Sequence, residues 1–84
     1  GDDLAIVEGI GPKAAEALVA AGIDTFAKLA AASAEEVKAI LDASTSKVQH
    51  LDPTTWAQQA QLAADGKMDE LKKLQDELNG GKAV

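Results

Sequence analysis

Large apolar residues recur along the chain in short bursts at helical spacing, and each burst is closed by glycine, proline or small polar residues. Leu4, Ile6 and Val7 follow Asp2 and Asp3, acids suited to the positive end of a short first helix. Gly9-Ile10-Gly11 interrupts that helix. Pro12 then occupies a first helical position, where a missing N–H costs nothing. Ala15, Leu18 and Val19 share one face of this second helix. Gly22 is expected just past its end, with Ile23 folding back on the last turn. Asp24 or Thr25 caps a third helix carrying Phe26, Leu29 and Ala30. Ser33-Ala34-Glu35-Glu36 fits a capping box, which starts a fourth helix at Ala34 and buries Val37, Ile40 and Leu41.

Residues 44–51 lack helical periodicity and read as the main loop. Asp52 and Pro53 are expected as N-cap and first residue of a fifth helix, a frame that sets Leu51 and Trp56 as a hydrophobic staple. That helix ends near Asp65-Gly66. A sixth carries Met68, Leu71, Leu74, Gln75 and Leu78 on one stripe and stops at Asn79-Gly80-Gly81, leaving a frayed tail over residues 80–84. Its charges pair at helical spacing, Asp69 with Lys73, Lys72 with Asp76 and Lys73 with Glu77. Each pair contributes about 0.2–0.5 kcal/mol, which describes a solvated face.

No run alternates apolar and polar residues as a half-buried strand does. The predicted fold class is therefore all-α, a compact bundle of five to six short helices in a single domain over residues 1–84. A helical unit and its partial repeat occupy 1–43, and a C-terminal helical hairpin occupies 52–79.

Composition changes this picture in two ways. Of the 84 residues 18 are alanine, so nearly half of the 46% hydrophobic content is small, and close-packed helices around a few large anchors are expected. Cysteine is absent, which excludes a disulfide framework and a thiolate metal site. No stretch approaches the ~20 apolar residues of a spanning helix, so no membrane partner is expected. No basic-then-apolar leader opens the chain either, and a cytoplasmic setting is the expectation.

Val7-Glu8-Gly9-Ile10-Gly11-Pro12-Lys13-Ala14-Ala15 is the segment with chemical content. It matches G-x-G-x-x-[GA] formally, but a dinucleotide site needs a strand before it and a βαβ unit around it. A tight hairpin between two short helices accounts for it better. Gly9 and Gly11 both permit positive φ there. The amides of Gly11, Lys13 and Ala14 lie unpaired at the positive end of the next helix, where an anion can bind, and Lys13 adds a mobile cation. Ile10 can staple against Ala15.

Residues 3–22, and Gly9-Ile10-Gly11-Pro12-Lys13 above all, closely resemble the helix-hairpin-helix family, with its SAM-like fold. Gly22 to Phe26, Leu29-Ala30 and the helix from Ser33 to Leu41 look like its continuation into a second, incomplete unit. Asp52 to Trp56 through Gly66 to Leu71 is similar to a two-helix extension found on some bacterial large-subunit ribosomal proteins. The resemblance implies a non-enzymatic, weak, sequence-independent contact with the DNA or RNA backbone through Gly9, Ile10, Gly11, Lys13 and Ala14.

Charge pulls the other way. The chain carries 8 lysines and no arginine against 14 acids, for a net charge of −6. Over residues 8–28, Glu8, Glu16 and Asp24 outnumber Lys13 and Lys28. A nucleic-acid surface is ordinarily basic. The alternative is a protein-interaction or scaffold domain that keeps the hairpin architecture without the electrostatics.

No enzyme is expected, and no cofactor, metal or small-molecule substrate. His50 is the single histidine, without a second ligand at metal spacing. A His50–Asp52 dyad has no nucleophile beside it beyond the ordinary loop residues Ser44, Thr45 and Ser46. Adjacent acids such as Glu35-Glu36 point about a quarter-turn apart on a helix and cannot converge on one atom. Trp56 reads as a core anchor before a stacking platform, because so lean a core needs its bulk.

Overall fold

The helical segments between breaks, alanine-rich in all but the last, fold into five α-helices in the computed structural model, which describes residues 1–79 and 82–83. A 3-10 turn over Leu4–Ile6 comes first, followed by α1 (Pro12–Ala20), α2 (Phe26–Ala31), α3 (Ala34–Ala43), α4 (Trp56–Ala64) and α5 (Met68–Asp76). α2 lies along α4, α1 against α3, and α5 against α4. This is the all-α bundle expected from the sequence, with the first helical segment tightened to a single 3-10 turn.

Local signals fix most helix ends. Ser33 Oγ accepts from Glu36 N–H at 3.0 Å while the Glu36 carboxylate accepts from Ser33 N–H, a complete capping box. Gly22 adopts φ +93°, which lets its N–H reach Val19 C=O and the Ile23 N–H reach Leu18 C=O at 2.9 Å, closing α1. α4 ends the same way at Gly66. Thr25, not Asp24, caps α2, and its hydroxyl accepts from Lys28 N–H at 3.1 Å.

Three expectations are corrected. α4 begins at Trp56 with Thr55 as its N-cap, so Asp52 and Pro53 do not start it. Asp52 instead accepts from Thr54 N–H and Pro53 C=O accepts from Trp56 N–H, making a separate turn ahead of the helix. Trp56 is then the first helical residue, a member of the buried core against which Leu51 packs, and the two do not stand at the staple positions of a helix start. Second, α5 stops at Asp76, and Leu78–Asn79 pairs antiparallel with Lys82–Ala83 where a frayed tail was expected. The rest of that tail, residues 80, 81 and 84, lies outside the described residues. Third, of the three charge pairs expected on this helix only Lys72–Asp76 closes, at 3.8 Å.

The core is built from Leu4, Val7, Ile10, Leu18, Leu29, Leu41 and Trp56, interleaved with Ala14 and Ala60. Small residues at these helix contacts leave room for the large anchors. Val48, inside the aperiodic loop, is buried as well and pins that loop to the bundle. Gln49 reinforces the attachment by donating to the Leu41 and Ser44 carbonyls at the end of α3. Met68, placed on the apolar stripe by its spacing, is half exposed.

Candidate nucleic-acid interface

The glycine hairpin joins the 3-10 turn to α1, and its shape follows from two committed backbone groups. Ile10 N–H donates to Val7 C=O at 3.0 Å, closing the turn. Gly9 sits at φ +105°, a conformation that L side chains rarely adopt. Gly11, expected to use the same freedom, is extended at φ −93°, ψ −177° and serves as the N-cap of α1.

The five candidate contact residues divide by what they present. Ile10 is buried and its amide is spent in the turn, so it anchors the hairpin to the core and offers no donor outward. Ala14 is buried through its side chain, against the same core. The first helical bond of α1 runs from Ala15 N–H to Gly11 C=O at 3.0 Å. The amides of Gly11, Lys13 and Ala14 precede it, the position from which helix-start donors face an anion. Lys13 is exposed, and its ammonium stands 3.9 Å from the Glu16 carboxylate, a loose surface pair.

Two glutamines hold the hairpin from behind. Gln59, on α4 and fully buried, receives Glu8 N–H at 2.7 Å on Oε1 and donates through Nε2 to Glu8 C=O at 3.0 Å. Its second donor goes to Thr55 Oγ1 at 3.2 Å, and Oε1 also accepts from Gln75 Nε2 at 3.0 Å. Every hydrogen-bonding position of that carboxamide is thereby filled. Gln75, on α5, donates as well to Ile6 C=O at 2.8 Å. Sequence reasoning placed Gln75 on a helical stripe and passed over Gln59. α4 carries three glutamines, Gln58, Gln59 and Gln61, and only the helical phase that sets Gln59 with Trp56 and Ala60 marks it among them.

Elsewhere, Lys28 donates to Asp24 at 2.9 Å, and this hydrogen bond and charge hold the Asp24 carboxyl below its ordinary value. Asp2 ties the chain start to the next turn: its N–H donates to Asp24 C=O and its carboxylate accepts from Phe26 N–H at 2.8 Å. His50 lies in an open groove between α3 and residues 49–54, beside Glu35 and Asp52. Trp56 is fully buried in the core. Among the described residues no group of three or more His, Asp or Glu is placed to hold a metal ion, and no helix is long and apolar enough to cross a membrane.

A family model described as the RS2/RL21/YNQ2 HHH domain matches residues 4–64. Among curated proteins, a large ribosomal subunit protein bL21 from Ruegeria pomeroyi is 46% identical over 65 residues, covering 77% of this chain and 30% of that protein. A second bL21, from Ruegeria sp. strain TM1040, is 42% identical over 65 residues, covering 77% of this chain and 29% of its own length. The chain thus spans less than a third of the curated relatives it matches. No solved structure matches it.

Proposed function

The chain belongs to the RS2/RL21/YNQ2 HHH domain family, and on that footing we propose that it is a non-enzymatic module that touches the ribosomal RNA backbone through the start of α1. The observation that carries this reading is the group of Gly11, Lys13 and Ala14 amides ahead of the first α1 bond, beside the exposed Lys13 ammonium. Such donors bind a phosphate without reading a base. The relatives are named as proteins of the large ribosomal subunit, which supports reading the nucleic acid as ribosomal RNA and the setting as the cytoplasm.

One hairpin neutralises roughly two phosphates, so the contact is weak at physiological salt, about millimolar for the isolated chain. The net charge of −6 weakens it further. A contact of this strength acts when the rest of a longer protein is already anchored, because tethering replaces affinity with effective concentration.

A second reading, a protein-binding module, is favoured by the acid excess over residues 8–28 and by Glu16 beside Lys13. A salt series with a short RNA duplex separates the two. Phosphate contact gives a log K against log salt slope of about −1 to −2, shallower by about one in Lys13→Glu. No binding at low salt favours the protein-binding module.

A further inference from the structure

The phosphate-facing hairpin is not self-supporting. Its backbone reverses at Gly9, and the residue before that reversal, Glu8, has both its N–H and its C=O held by the Gln59 carboxamide, as a neighbouring strand would hold them. Those two bonds fix the peptide planes on either side of Glu8, and so the direction in which Ile10, Gly11 and the start of α1 leave the turn. Gln59 is itself held by Gln75, which reaches across from α5 and also grips Ile6 C=O. A chain of side-chain hydrogen bonds therefore runs from α5 through α4 to both sides of the hairpin's entry.

We propose that Gln59 and Gln75 are positioning residues for the phosphate contact, and that α5, beyond the segment shared with the family model, braces the hairpin so that its amides are already aimed when phosphate arrives. The proposal rests on the phosphate-contact reading above. Its physical basis is preorganisation: donors held in their bound geometry lose less conformational freedom on binding. Gln59 is fully buried with all its bonding positions filled, so a loss at Gln75 leaves one acceptor lobe of Gln59 and the Ile6 carbonyl without their donor. Gln75 is only half-buried, so it can be changed without opening the core.

Gln75→Met tests this on the full chain, because methionine keeps the length of the side chain and removes both donors. Gln75→Ala serves as the companion that also loses the packing. The first readout is hydrogen exchange without ligand. Exchange at Glu8 N–H is expected to quicken about tenfold in both variants while Val37 and Leu41, in α3, exchange as in the parent. The second readout is titration with a short RNA duplex at low salt, where both variants are expected to bind two- to fivefold more weakly. Unchanged exchange at Glu8 overturns the proposal, and so does an equal quickening across α3, which marks a general loss of stability. Parent and variants binding RNA equally overturns this proposal alone. A parent chain silent towards RNA overturns the phosphate contact and the positioning role with it.

Discussion

The Gln59 carboxamide and the backbone of Glu8, fifty-one residues apart, exchange two part-buried hydrogen bonds of 2.7 and 3.0 Å at the edge of the core. A side chain here does the work of a strand neighbour, binding the N-terminal hairpin to the C-terminal helix pair. A backbone group left unpaired out of reach of water costs about 1–3 kcal/mol, and these two are partly shielded. Gln59→Leu fills the volume but orphans both Glu8 groups. Its urea midpoint is expected to fall by the equivalent of about 2–5 kcal/mol, a large share of a small domain's stability.

Trp56 separates bulk from polarity. It is fully buried, and its indole N–H has no hydrogen-bond partner among the described residues. Trp56→Ala is expected to cost about 3–5 kcal/mol through the void it leaves. Trp56→Phe removes part of the volume together with the unpaired donor and is expected to cost markedly less. Thermal melts of the two variants check the order. Equal destabilisation by both contradicts the assignment of Trp56 as a volume anchor.

The two hairpin glycines should respond oppositely. Gly9→Ala forces an L residue to φ +105° and is expected to cost about 1–3 kcal/mol. Gly11 is extended, and an added Cβ there meets nothing within 4 Å, so Gly11→Ala should leave the melting temperature nearly unchanged. If the start of α1 takes a phosphate, a methyl on its N-cap residue crowds the approach. RNA binding is expected to weaken in Gly11→Ala at intact stability, as a duplex titration of the folded variant will read out.

The Asp24–Lys28 pair gives a pH signature. Lys28 depresses the folded-state value of the Asp24 carboxyl below its ordinary value of 3.8, so the pair's contribution is fully present above that value and is lost as pH falls through the depressed one. Asp24 is solvent-exposed, and the effect is screened by salt. An NMR titration of the side-chain carboxyl should show Asp24 titrating lower than normal in the parent and shifting back towards 3.8 in Lys28→Met.

Features set within a few residues were legible in the sequence, and those set across the fold were not. The capping box at Ser33 and Glu36 and the helix stops at Gly22 and Gly66 follow from local backbone chemistry, and each stands where the spacing puts it. Asp52-Pro53 carries an equally strong local signal for a helix start, yet its turn closes first and the helix waits for Trp56. Val48 is buried from within an aperiodic loop, which no helical pattern can announce. For the candidate site, the glycine positions and Lys13 were readable from the motif. The commitment of the Ile10 amide to Val7 and the clamp from Gln59 needed the tertiary structure, because each depends on where another segment lies.

Amide chemical-shift mapping at low salt with a short RNA duplex reads the hairpin directly. If the start of α1 contacts phosphate, shifts concentrate at Gly9, Gly11, Lys13 and Ala14, fade as salt rises, and vanish in Lys13→Glu. An unchanged spectrum, or shifts centred on the groove around His50 while the hairpin stays silent, contradicts the phosphate contact.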